Sequence, residues 1–195
     1  FAGLRRPEAL AKKLPMALLH EGIAVVKESR SEKFSKGDRV VVVPNIPGQI
    51  LHPEIDQKPD IPVNYSKGNA FLGSGYDGMA QSCLVHPEEC LVLIPDEIPN
   101  EIAVLAELSS VSHHALSHVQ EKLKKSDTRV ALFGDGPVGY FTAVMLKYLY
   151  GVTAERFVVF GAADDKLAHF DFARRENVLS YDFKHSKEKF DVLIE

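Results

Sequence analysis

The run Val130-Ala-Leu-Phe-Gly134-Asp-Gly136-Pro-Val-Gly139-Tyr-Phe-Thr-Ala-Val-Met-Leu146 decides how this chain is read. A short apolar stretch ends in three glycines spaced G-x-G-x-x-G, and a long segment of apolar period follows at once. Strand, glycine turn and helix in that order form the context that a dinucleotide-binding fingerprint requires. Gly134 permits the tight turn, Gly136 lets backbone close on a pyrophosphate, and Gly139 lets the helix pack against the strand. Asp135, Pro137 and Val138 complete the turn. The free N–H groups and positive dipole end of the helix then face the phosphates. Glycine-rich strand–helix turns also arise for packing alone; the flanking strand and helix are what favour a nucleotide here.

Downstream, the helix is expected to run to about Tyr150, and Arg156-Phe-Val-Val-Phe160 reads as a second parallel strand. Gly161-Ala-Ala-Asp164-Asp165-Lys166 lies at its carboxyl end. Leu167 to Ala173 reads as helix, and Val178-Leu-Ser-Tyr181 and Phe190-Asp-Val-Leu-Ile194 as two further short strands. Strands alternating with helices predict an open parallel sheet with right-handed crossovers. Upstream, the charged stretch Glu121-Lys-Leu-Lys-Lys-Ser-Asp127 places a domain join near residues 118–128.

The first half has a different texture. Gly22-Ile-Ala-Val-Val26, Val40-Val-Val-Val-Pro44, Met79 to Val85 and Cys90-Leu-Val-Leu-Ile-Pro95 read as short strands punctuated by Gly and Pro. They predict a small β-barrel or sandwich up to about residue 95. A short helical pattern runs from Glu8 to Lys13, and residues 45–70, rich in Pro, Asn, Gly and charge, read as a long surface excursion. Phe71-Leu-Gly-Ser-Gly75-Tyr-Asp-Gly78 is a second glycine-rich turn. Asn100 is expected to cap a helix whose apolar positions Ile102, Leu105, Ala106 and Val111 recur at helical spacing.

Two features of this half carry chemistry. His20-Glu21 sits between apolar runs, so a buried pair there must be hydrogen-bonded, ion-paired or metal-bound. Glu107 stands in Ile-Ala-Val-Leu-Ala-Glu-Leu, where a carboxylate is costly unless paired or coordinating. The plain alternatives are a structural pair at a strand end and a helix residue turned to solvent. His52, His86, His113, His114, His118, His169 and His185 show no ligand spacing with a second candidate and read as structural or surface residues. The net charge of -4 and the lack of a basic stripe argue against a nucleic-acid binder. Two cysteines, Cys83 and Cys90, are too few for a disulfide framework or a four-cysteine zinc clip. No run of 18 apolar residues and nothing like a signal peptide is present, so a cytoplasmic protein is the simplest expectation. The chain starts at Phe1 and stops at Glu195 inside an apparent strand, as a piece of a longer protein would.

His20-Glu21-Gly22, Gly37-Asp38-Arg39-Val40, Ser74-Gly75-Tyr76-Asp77-Gly78, Glu107 and Gly134-Asp-Gly136-Pro-Val-Gly139 follow one another in a recognisable order. Together they resemble the zinc-dependent medium-chain alcohol and polyol dehydrogenases, in which a GroES-like catalytic domain precedes a Rossmann domain. The resemblance covers essentially the whole chain. It implies an α/β protein with a β-barrel: residues 1–120 as a GroES-like domain lacking its N-terminal part, and residues 121–195 as a partial Rossmann domain. It also implies that His20 and Glu107 are catalytic-zinc ligands, with Glu21 coordinating or standing behind the metal. The family's first ligand, a cysteine, would lie before Phe1. Lys12-Lys13-Leu-Pro-Met-Ala-Leu-Leu-His20-Glu21, Gly134-Asp-Gly136 and Leu146-Lys147-Tyr148 are most similar to the branch that reduces a pentulose phosphate for teichoic-acid and capsule precursors.

That branch implies NADPH-dependent reduction of D-ribulose 5-phosphate to D-ribitol 5-phosphate, a dimer or tetramer, and a cytidylyltransferase acting on the product. An NAD-dependent sorbitol- or threonine-type dehydrogenase and a zinc-free, quinone-reductase-like or non-catalytic nucleotide binder stay open as alternatives. The chain departs from the family pattern in places. Leu19 replaces the glycine before the histidine, Ala24 stands where glycine is usual, and the four-cysteine structural zinc loop is absent. Gly161 replaces the acid that would hold the ribose 2′-hydroxyl of NAD, so NADP(H) is expected over NAD(H), with Lys166 the nearby cation. Arg5, Arg6, Lys12 and Lys13 are candidates for a substrate phosphate, against the alternative of a solvated helix face.

Overall fold

The computed structural model describes residues 14–56 and 58–195, so the expected first helix and the cations Arg5, Arg6, Lys12 and Lys13 lie outside the described residues. In the first half, strand β1 (Ile23–Val25) pairs antiparallel with β2 (Arg39–Val42). Strand β3 (Asn45–Ile46) pairs with β4 (Ala70–Phe71), and β5 (Leu91–Leu93) lies on the far side of β2. Val40 and Val42 are buried while Arg39 and Val41 are half-exposed, the period-2 pattern of a strand with one covered face. Val42, Ile46, Leu72 and Cys90 form the buried cluster beneath.

The excursion 45–70 is ordered at its neck. Strands β3 and β4 close it as a two-residue ladder, and helix α1 (Gly48–Leu51) and a 3-10 turn at Val63–Tyr65 lie between them. The Gly48 N–H donates to Ser66 Oγ at 2.8 Å, in a buried bond. The strand expected over Met79–Val85 does not form. Its opening residues spend their N–H groups on the chain before His20 instead: Met79 on the Leu19 carbonyl at 2.8 Å and Ala80 on the Leu18 carbonyl at 2.9 Å.

Helix α2 (Asn100–Ala103) and helix α3 (Ala106–Ser117) follow. Asn100 is the first helical residue and not the cap; Pro99 precedes it, and no side chain caps the turn. Proline at φ -69 already holds the entry angle that a capping side chain would otherwise set.

The second half runs α4 (Gln120–Leu123), β6 (Val130–Phe133), α5 (Pro137–Tyr148), β7 (Phe157–Gly161), α6 (Asp164–Leu167), β8 (Arg174–Asn177) and β9 (Val192–Ile194). The strands make a parallel sheet in the order β8-β7-β6-β9, with successive crossovers to either side of β6. Both faces of the sheet are covered. Val130, Leu132, Phe157 and Val159 pack with Ala143, Leu146 and Phe170 on one side, while Ala131, Val158 and Phe160 meet Phe133, Tyr181 and Phe190 on the other. The helix expected over 167–173 is instead the single turn α6, because Phe170 and Ala173 turn inward to the core. The third strand lies at Arg174–Asn177, not at Val178–Tyr181; its place is set by the ladder that pairs Val158 with Arg174 and Gly161 with Asn177.

At the amino-terminal end of this sheet Glu188 accepts from Arg174 Nη1 at 2.6 Å, from Tyr181 Oη at 3.0 Å and from Arg129. Burial pushes the Glu188 carboxyl up, but the bonds from Arg174 and Tyr181 more than offset it and hold it below the usual range. The chain divides into two compact units, Phe1–Glu107 and Leu108–Glu195. The division falls within α3, one helix before the charged stretch 121–127. No helix among the described residues is long and apolar enough to cross a membrane.

Candidate metal centre and nucleotide turn

His20 follows a residue in an uncommon conformation. Leu19 has φ +69, the left-handed region that a side chain rarely adopts, so the departure from glycine at this position carries strain of about 1 kcal/mol. The second glycine-rich turn holds it there. Gly78 donates to the Ala17 carbonyl at 2.8 Å, Asp77 Oδ1 accepts from the Ala17 N–H at 2.8 Å, and Gly73 donates to the Tyr76 carbonyl at 2.8 Å. A Cβ on Gly78 would lie 2.0 Å from the Leu19 carbonyl oxygen, and one on Gly73 2.7 Å from the same atom. Ser74–Gly78 therefore clamps the backbone that presents His20. Sequence reasoning missed this role, as it missed Phe71, whose ring meets the His20 imidazole edge-on at 5.0 Å.

His20, Glu21 and Glu107 come together. One ligand atom from each lies within 4.8 Å of the others, with His20 and Glu107 half-buried and Glu21 exposed. His20 Nε2 and Glu21 Oε1 are 3.7 Å apart. Burial pushes the Glu107 carboxyl up, the His20 ring opposes that, and the Glu21 carboxylate adds to it. An imidazole nitrogen and two carboxylates converging at this spacing form a donor set suited to zinc. Elsewhere, the exposed His114 and His118 meet each other at 3.2 Å, and His52 and His185 pair with Glu54 and Asp182. Cys83 is exposed and Cys90 buried, both as free thiols.

The nucleotide turn has the shape its glycines require. Gly134 has φ +137, and a Cβ on Gly139 would lie 2.1 Å from the Gly134 carbonyl oxygen. Around Gly136 a Cβ would meet nothing within 4 Å, so backbone there is open to a ligand. Pro137 is the first residue of α5, where its missing N–H costs no hydrogen bond. Val138 is exposed in the first turn of that helix, and its carbonyl accepts from Ser112 Oγ at 3.1 Å and Thr142 Oγ1 at 2.8 Å. Asp135 reaches across to the end of β7, and Lys166 is exposed on α6.

Residues 4–96 match the alcohol dehydrogenase GroES-like domain. Along both halves the chain is similar to the medium-chain alcohol and polyol dehydrogenases. Its two halves are accordingly a GroES-like domain and a Rossmann domain, as the resemblance implied. It is 37% identical over 173 residues to ribulose-5-phosphate reductase 1 of Staphylococcus aureus, covering 88% of this chain and 48% of that protein. Ribulose-5-phosphate reductase of Bacillus spizizenii is 36% identical over 172 residues, again covering 88% and 48%. The chain thus spans about half the length of the curated relatives it matches. Among solved structures, S. aureus TarJ in complex with NADPH superposes with a TM-score of 0.64 at 28% identity, covering 95% of this chain and 48% of that one. L-idonate 5-dehydrogenase of Escherichia coli, at 24% identity and a TM-score of 0.73, shares the fold over 91% of this chain and 52% of its own.

Proposed function

We propose that the protein to which this chain belongs reduces a ketose phosphate with NADPH, with D-ribulose 5-phosphate as substrate and D-ribitol 5-phosphate as product. In that reaction a hydride passes from the nicotinamide to the ketone carbon and a proton to its oxygen. The convergence of His20, Glu21 and Glu107 carries this reading. These three residues would hold a zinc ion, which when bound polarises the ketone as a Lewis acid. The turn from Gly134 to Gly139 would receive the pyrophosphate, with the amides at the start of α5 donating to it. The likeness to the ribulose-5-phosphate reductases and to TarJ with NADPH supports the substrate class and the cofactor. Arg5, Arg6 and Lys13 remain the proposed phosphate readers on sequence position, together with an oligomeric cytoplasmic enzyme whose product feeds a cytidylyltransferase.

The test uses the complete protein. Zinc content by elemental analysis should fall in His20→Ala, with NADPH oxidation by ribulose 5-phosphate reduced at least about a thousandfold, the scale of several kcal/mol of electrostatic stabilisation. Wild-type protein should turn over ribulose 5-phosphate in preference to free ribulose or sorbitol. Full zinc retention by His20→Ala would overturn the ligand assignment.

A further inference from the structure

The residue at the end of the second Rossmann strand ordinarily decides between NAD and NADP, since an acid there binds the ribose 2′-hydroxyl and repels a 2′-phosphate. Here that residue is Gly161, yet a carboxylate is present in the same place. Asp135, the residue between the first two glycines of the turn, extends across β6 and β7. Its Oδ2 accepts from the Ala162 N–H at 2.8 Å and from the Ala163 N–H at 2.9 Å. A Cβ built on Gly161 would lie 2.7 Å from Asp135 Cβ and 2.8 Å from Asp135 Oδ2. The two positions are therefore mutually exclusive: a side chain at 161 has no room while Asp135 is there. Asp135 also occupies the two consecutive backbone N–H groups that would otherwise offer an anion site beside the ribose.

We propose that Asp135 is a specificity-determining residue for the cofactor, its carboxylate replacing the missing acid of β7 and narrowing the margin of NADPH over NADH. This rests on the nucleotide-binding reading above and deepens it. Lys166, whose ammonium interacts favourably with the Asp135 carboxylate, is the cation on α6 that faces the same region. A 2′-phosphate arriving there gains Lys166 and meets Asp135; a 2′-hydroxyl can donate to the second Asp135 oxygen. Asparagine at 135 keeps an oxygen for both amides and removes the charge. Alanine removes the charge and also frees the amides.

The experiment is direct titration of the complete protein with NADPH and with NADH, followed by nucleotide fluorescence, for wild type, Asp135→Asn and Asp135→Ala. The ratio of the two dissociation constants should move toward NADPH by about tenfold in Asp135→Asn, and at least as far in Asp135→Ala. Thermal melts run in parallel; if Asp135→Asn does not fold, Asp135→Ala alone gives the ratio. A ratio unchanged within about twofold, with both nucleotides still bound, would overturn the proposal, because a merely structural role weakens both cofactors alike. Wild-type protein that binds neither nucleotide would instead overturn the cofactor reading on which the proposal stands.

Discussion

His86 shows how a single side chain sets a pH limit. Its Nε2–H donates to the Val43 carbonyl at 2.9 Å, while its Nδ1 is buried with no hydrogen-bond partner among the described residues. Burial pushes its pKa below the ordinary 6.5, and the bond to Val43 only partly opposes this. The unfolded chain therefore takes up a proton that the folded one refuses. The stability due to neutral His86 is complete above 6.5 and is lost as pH falls from there toward the lower folded value. Comparing denaturation midpoints at about pH 7.5 and about pH 5.5, His86→Phe should lose less than wild type. An identical loss in both proteins would remove His86 from the account. At this scale the sequence was legible where chemistry is local. His20-Glu21 stood out as a polar pair between apolar runs, and Glu107 as a carboxylate in an apolar helix. Neither Leu19's left-handed backbone nor the crossing of Asp135 to β7 leaves a local mark, because each is fixed by contacts far along the chain.

Among the elements, the turn Ser74–Gly78 matters more than its lack of chemistry suggests. Gly78, like Gly73 just before the turn, lies against the Leu19 carbonyl, so a methyl group at 78 has no room without moving the segment that carries His20. At the proposed metal site, Gly78→Ala should weaken zinc binding by about 10- to 100-fold, the scale seen when residues supporting metal ligands are removed. A competition titration against a chelator measures it, and unchanged affinity would show that the clamp does not position His20. The strand–turn–helix from Val130 to Tyr148 was readable because apolar period, glycine spacing and the change of period all fall within one short window. Strand β8 was not. Arg174-Arg-Glu-Asn has no apolar alternation, and it becomes a strand only because β7 offers it an edge. The expected strand over Met79–Val85 failed for the converse reason: a suitable composition found its partners in an irregular segment.

For the molecule as a whole, the two units carry separate buried clusters, one around Val42 and Leu72 and one around Leu146 and Phe157. Leu146 is fully buried in the second. Leu146→Ala should cost about 2–5 kcal/mol, with the loss of hydrogen-exchange protection concentrated in residues 130–194 and small in residues 23–94. Equal loss in both regions would mean that the units open together. The change in texture near the middle of the chain, from short strands to alternating strands and helices, was enough to separate the two architectures by sequence. The position of the division within α3 was not, since a helix that begins in one unit and continues in the next has no break in its periodicity.

Glu188 has a consequence for this second unit. Arg174 opens one edge strand, Arg129 immediately precedes a central one, and Glu188 lies shortly before the other edge. A single carboxylate thus buckles the margins of the sheet together at the floor, opposite the rim where Gly134 and Asp135 sit. Strand order is thereby held from below, and acid strong enough to protonate Glu188 would loosen that fastening.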